Sequence, residues 1–114
     1  MEIKIIQEDE DISHIALSGR LDIKGVEEAE LKFTAHTSSR SKPALVDLSG
    51  LEFISSLGLR MLLSNAKTLS KKGTKMVLLN PVEEVLDILK ISGFDKLLTI
   101  VYDYEEARNF LIQP

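Results

Sequence analysis

The chain has 114 residues, 44% of them hydrophobic and 28% charged, which suits one globular domain over 1–114 with one core rather than a disordered segment. Its formal net charge of −4 disfavours tight nucleic-acid binding, which rests on Lys and Arg along a basic stripe, and its lack of cysteine excludes disulfides, thiol nucleophiles and thiolate metal sites. No apolar run approaches the ~20 residues of a membrane span, and Met1-Glu2-Ile3-Lys4 lacks the layout of a signal peptide, so a cytosolic protein without membrane insertion is expected.

Ile3 and Ile5 alternate with Glu2 and Lys4, and a second extended run covers Ile12 to Leu17. The acidic Glu8-Asp9-Glu10-Asp11 stretch between them reads as the solvated turn of an opening hairpin, because clustered like charges stay wet. From about Lys24 to Arg40, Val26, Ala29 and Phe33 recur at helical spacing with Glu27, Glu28, Glu30 and Lys32 outside. Pro43 blocks continuation of that helix, and Ala44-Leu45-Val46 is an uninterrupted apolar run suited to a central strand.

A second helix is predicted from about Leu57 to Lys72, with Leu59, Leu62, Leu63, Ala66 and Leu69 on its buried face and Gly73 as its stop. Met76 to Leu79 reads as a buried strand. Asn80-Pro81 supplies an N-cap and a first-turn proline for a third helix carrying Val85, Leu86 and Leu89, which ends at Gly93. Leu97 to Tyr102 is the last strand, and Asp103 caps a terminal helix with Ala107 and Leu111 inward. The order is ββαβαβαβα, an α/β fold with a mostly parallel mixed sheet and an antiparallel N-terminal β-hairpin.

Several chemistries find no support in the residues. Gly50 and Gly58 form neither a GxxxxGK[ST] nor a GxGxxG cradle, no GxSxG elbow is present, and no serine has an evident histidine and acid partner, so an enzyme is not expected. His14 and His36 lack companions at ligand spacing, which argues against a metal site. A phospho-accepting receiver built on Asp47 would need an acidic pair after the first strand, and none stands there. The basic cluster Lys67, Lys71, Lys72 and Lys75 reads as a solvated helix end.

The segment joining the third strand to the second helix carries the functional signal: VDLSGLEFISSLGLRMLL from Val46, with Ser55 and Ser56 adjacent and Gly58 close behind. This stretch resembles the signature of STAS domains, in which a DLS-type strand end leads to a DSSGL-like helix opening, and the element order is similar to that family's over essentially the whole chain. Gly19-Arg20-Leu21-Asp22 likewise resembles the family's G-x-L-D segment.

The resemblance implies an anti-sigma factor antagonist rather than an enzyme, with no cofactor of its own. The unphosphorylated form would bind an anti-sigma factor that is also a serine kinase and supplies the ATP, thereby freeing sigma factor. Phosphorylation, falling on Ser56 or alternatively Ser55, would end that binding, and a phosphatase would reset it. Asp22, Asp47, Ser55, Ser56, Leu57, Gly58 and Leu59 are the implied partner-binding residues. Ser55 stands where the family has an acidic residue, and Leu57 where it has a second small hydroxyl residue. A helix N-terminus with unpaired N–H groups can receive a phosphate. The other reading within the family is a ligand-binding or scaffold module of a transporter or signalling assembly. Ser55 and Ser56 also read as plain caps of the second helix, and Asp22 as the N-cap of the helix containing Val26.

Overall fold

A computed structural model describes residues 1–8 and 10–113. Asp9, within the acidic stretch expected as the hairpin turn, lies outside the described residues. Five strands form one sheet in the order β1-β2-β3-β4-β5: β1 Glu2–Glu8, β2 Ser13–Leu21, β3 Ala44–Ile54, β4 Met76–Leu79 and β5 Thr99–Val101. β1 runs antiparallel to β2, and every later pairing is parallel. The helices are α1 Ile23–His36, α2 Ser56–Lys71, α3 Glu83–Ile91 and α4 Tyr104–Ile112, so the element order is the expected one, with a 3-10 turn at Phe94–Lys96 added before β5.

Period-two alternation sorts the strands onto two faces. Ala44, Val46, Leu48 and Leu78 join Val26, Phe33, Leu59, Leu62, Val85 and Leu89 in the larger core, beneath α1, α2 and α3. Leu45, Val77, Leu79 and Val101 join Ala107 and Leu111 in a smaller core beneath α4. Buried Asn65 and Thr37 tie α1 to α2: Thr37 Oγ1 lies 2.7 Å from Phe33 O and 2.8 Å from Asn65 Oδ1. Asn65 Nδ2 donates to Met61 O at 2.9 Å.

Several boundaries differ from the sequence expectation, and β2 runs on to Leu21 rather than ending at Leu17. β3 does not stop at Val46 but continues for 11 residues to Ile54. Its pairing with β2 shifts register between Ala16 and Ser18 and again between Gly19 and Arg20, and each shift accommodates an extra residue on β3. Ser49-Gly50, past the expected strand end, therefore lies in a bulged strand, where a Cβ on Gly50 would stand 2.9 Å from Ser18 Cβ. α1 ends at His36 rather than Arg40, because Thr37 leaves helical geometry at φ −120° and its hydroxyl reaches Phe33 O.

α3 starts at Glu83, with Val82 at its N-cap making no side-chain cap bond. Asn80 instead adopts a left-handed φ of 53° and donates its N–H to Val101 O at 2.8 Å, which holds the chain to β5 before the helix can begin. β5 covers Thr99–Val101 rather than Leu97–Tyr102, since Leu97 and Leu98 donate to Phe94 O and belong to the preceding turn.

Candidate functional site

The C-terminal ends of β2 and β3 lie side by side, with Leu21 paired to Ile54. Each strand hands over to a helix through a capping residue. Asp22 Oδ1 accepts from Gly25 N at 2.8 Å and caps α1; Ser55 Oγ accepts from Gly58 N at 3.2 Å and caps α2. The two caps are joined, because the Ser55 N–H and the Ser55 hydroxyl both donate to Leu21 O at 2.9 Å. Two helix N-termini thus open at one corner of the sheet, where strand-end loops of open α/β sheets place their sites.

The two serines have different environments. Ser55 is half-buried, and its hydroxyl both donates and accepts. Ser56 is the first residue of α2, exposed, and its hydroxyl has no hydrogen-bond partner among the described residues. Beside it, Leu57 is 38% exposed, and Ile23, the first residue of α1, is 62% exposed. Arg60, one helical turn after Ser56, is exposed as well.

Asp22 keeps its second carboxylate oxygen for Arg20, whose Nε is 3.8 Å away, and the Arg20 guanidinium lies 4.5 Å above the Phe53 ring. The corner therefore presents a free hydroxyl, two apolar side chains and a carboxylate-guanidinium pair. Ile23, Arg20 and Phe53 were not singled out from sequence. An exposed isoleucine directly after an N-cap was a readable signal; the Arg20–Phe53 contact depends on the β2–β3 register and was not.

Gly58 and Leu59 lie beneath this surface. A Cβ on Gly58 would meet Ile54 Cγ1 at 2.8 Å and Leu21 Cδ2 at 2.9 Å, so the glycine lets α2 settle onto the ends of β2 and β3. Leu59 is 5% exposed and packs in the larger core.

Asp47 is not brought to the corner. It lies within β3, opposite Ala16 and Leu79, and its Oδ1 accepts from Ser49 N at 2.9 Å. Eight residues of extended chain, at about 3.3 Å each, put it roughly 25 Å from Ser55. It sits instead near His14, on the α4 side of the sheet. Burial pushes the His14 imidazole below its ordinary value, with the Asp47 carboxylate opposing. Among the described residues no group of His, Cys, Asp or Glu is placed to hold a metal ion, and no helix is long and apolar enough to cross a membrane.

Comparison with known proteins bears on this corner. The family model described as STAS domain matches residues 4–107. BtrV of Bordetella bronchiseptica, named as a candidate anti-sigma factor antagonist, is 30% identical over 91 residues, covering 80% of this chain and 78% of BtrV. The anti-sigma factor antagonist SpoIIAA in its unphosphorylated form superposes with a TM-score of 0.74 at 22% identity, over 96% of this chain and 93% of SpoIIAA. Its phosphorylated Bacillus form gives 0.66 at 21% identity, over 96% and 98%. The murine anion transporter Slc26a9 contains the same fold, with a TM-score of 0.78 at 19% identity over 92% of this chain and 18% of the transporter.

Proposed function

Because the chain belongs to the STAS-domain family, we propose that it acts as an anti-sigma factor antagonist whose binding is switched at Ser56. In this reading the unphosphorylated corner docks on an anti-sigma factor that is also a serine kinase. Ile23 and Leu57 supply apolar contact, and Asp22 supplies a carboxylate at the rim. The partner binds the ATP, and this chain works by binding rather than by turnover. Phosphate on Ser56 dissolves the complex, and a phosphatase restores it.

The observation that carries the reading is the contrast between the two serines. Of the two, the Ser56 hydroxyl is exposed and without a hydrogen-bond partner among the described residues, whereas Ser55 would have to surrender its cap and its bond to Leu21 O before it could be modified. A phosphate at Ser56 adds roughly −1.5 to −2 charge. Burying that charge in an interface costs a few kcal/mol, and about 3 kcal/mol is more than a hundredfold in affinity. The names of BtrV and SpoIIAA support the same reading.

The test is phosphorylation by a candidate anti-sigma kinase with ATP, mapped by mass spectrometry on the wild type, Ser56→Ala and Ser55→Ala. Phosphate on Ser56 in the wild type and in Ser55→Ala, and none in Ser56→Ala, is expected. Phosphate on Ser55, or none at all on a chain that demonstrably binds the kinase, would overturn the switch at Ser56. The likeness to part of Slc26a9 favours a second reading, a module of a larger membrane assembly, which co-purification with a membrane-embedded partner instead of an anti-sigma factor would carry.

A further inference from the structure

The sheet ends at β5, and two grooves flank that edge, one on each face. On the α4 side a groove of about 710 Å³ is lined by Thr99, Val101, Asp103, Glu105, Glu106 and Phe110 among others. On the α3 side a groove of about 380 Å³ is lined by Leu86, Lys90, Asp95, Lys96, Leu97 and Tyr102 among others. Thr99 and Ile100 line both, so the grooves meet along β5 itself.

The backbone of that edge is available. Val101 O accepts from Asn80 N on the β4 side, and alternation along a strand turns the N–H and C=O of the preceding Ile100 toward the open side. Tyr102, at 57% exposure, and Leu97, at 62%, leave apolar surface uncovered next to it. An extended segment laid along β5 would pair with this backbone and send alternate side chains into the two grooves.

Charge chooses the occupant. The α4-side groove carries the carboxylates of Asp103, Glu105 and Glu106, and none of the described residues lining it is lysine or arginine. Lys75, just before β4, is turned to Phe110, donating to its carbonyl at 2.8 Å and lying 4.3 Å over its ring, and Arg108, the cation of α4, is held by Asp11, its guanidinium 3.3 Å from Oδ2. The α3-side groove mixes Lys90 and Lys96 with Asp95, whose Oδ1 is buried without a partner, around the apolar Leu86 and Leu97.

Self-pairing of two β5 edges in one continuous antiparallel sheet would set the acidic grooves of both copies on the same face. Like charges there oppose a second copy. A partner strand with basic residues on one face and apolar residues on the other meets no such opposition.

We propose that the β5 edge is a docking site for an extended segment of a partner protein, added as a sixth strand, with alternating basic and apolar side chains. Its basic residues face Asp103, Glu105 and Glu106, and its apolar residues face Leu86 and Leu97. This surface is separate from the Ser56 corner and does not depend on the phosphorylation switch.

Amide-resolved NMR of the full chain, titrated with a short peptide of alternating lysine and valine, tests it. Saturable shifts are expected for Leu98 to Tyr102 and for α4 from Asp103 to Phe110, with Ser55 to Leu59 unmoved. Binding should weaken severalfold at high salt. It should fall at least tenfold in Glu105→Lys/Glu106→Lys, whose fold is checked by its unchanged remaining spectrum. A peptide of alternating glutamate and valine should not bind. Absence of shifts on β5, equal binding of the glutamate peptide, an unaffected double variant, or concentration-dependent β5 shifts of the chain alone would each overturn the proposal, the last in favour of a second copy.

Discussion

Two adjacent serines with opposite surroundings make the corner at Ser55 and Ser56 a test of how much a hydroxyl contributes to the fold and how much it is left over for partners. Ser55 Oγ satisfies one orphan N–H of α2 and bonds to Leu21 O. Losing a cap typically costs about 1 kcal/mol, and leaving a neighbouring carbonyl short of a donor adds to that. Ser55→Ala is therefore expected to lower unfolding free energy by about 1–2 kcal/mol in chemical denaturation. Ser56→Ala, at an exposed position with no bond to lose, should stay within about 0.5 kcal/mol of the wild type. Equal losses at both positions would mean that Ser56 has a structural duty of its own. Asp22 follows the Ser55 pattern, capping α1 through Gly25 N while its other oxygen faces Arg20.

At the scale of elements, the corner exists because α2 lies close against the strand ends, and Gly58 sets that approach. Adding a Cβ there brings atoms to within 2.9 Å of buried Leu21. Overpacking costs about 1–3 kcal/mol, against a gain of up to about 1 kcal/mol from replacing a helical glycine. Gly58→Ala should therefore be destabilised by about 1 kcal/mol net, and a stabilised variant would show that Leu21 yields freely. On the opposite face α4 packs over β3, β4 and β5, and His14 of β2 lies against Tyr104, ring centroids 5.5 Å apart, with its Nε2 buried and without a partner. Burial holds its pKa below the ordinary 6.5, with Asp47 acting against the shift. The unfolded chain then binds that proton more readily than the folded one, so His14 contributes stability above pH 6.5 that is lost as pH falls through the lowered folded value. Melting temperature should fall less on acidification in His14→Gln than in the wild type, and parallel curves would show that His14 titrates alike in both states. The elements themselves were largely legible: α2 from its leucine spacing, α4 from Asp103 and Ala107, β4 from its continuous apolar run. What escaped sequence reading was register. Ser49 and Gly50 fall beyond the expected strand end at Val46 unless the bulged pairing with Ser18 is known, and that longer β3 is what separates Asp47 from the site and brings Phe53 beneath Arg20.

For the whole molecule, the arrangement separates folding from switching. Ser56 is the exposed first residue of α2, on the surface above Ile54 and Leu59 of the larger core, so a charge placed there does not have to enter the interior. It meets the positive end of the α2 dipole, where an anionic side chain typically stabilises by about 0.3–1 kcal/mol. No acidic residue occupies the first turn of α2, so nothing within that turn opposes the added charge. Ser56→Asp should consequently melt at the wild-type temperature or slightly above it, with amide shifts confined to the neighbourhood of Leu21 to Ile23 and Phe53 to Arg60. Its capture of an anti-sigma kinase, measured by titration of the isolated partners, should weaken by at least tenfold, or about 1.4 kcal/mol, since the carboxylate must be desolvated beside Ile23 and Leu57. A variant that lost stability together with binding would place the effect in the fold. One that kept full affinity would remove Ser56 from the interface. Only intact stability with broken binding matches a rigid domain that carries its switch on the surface.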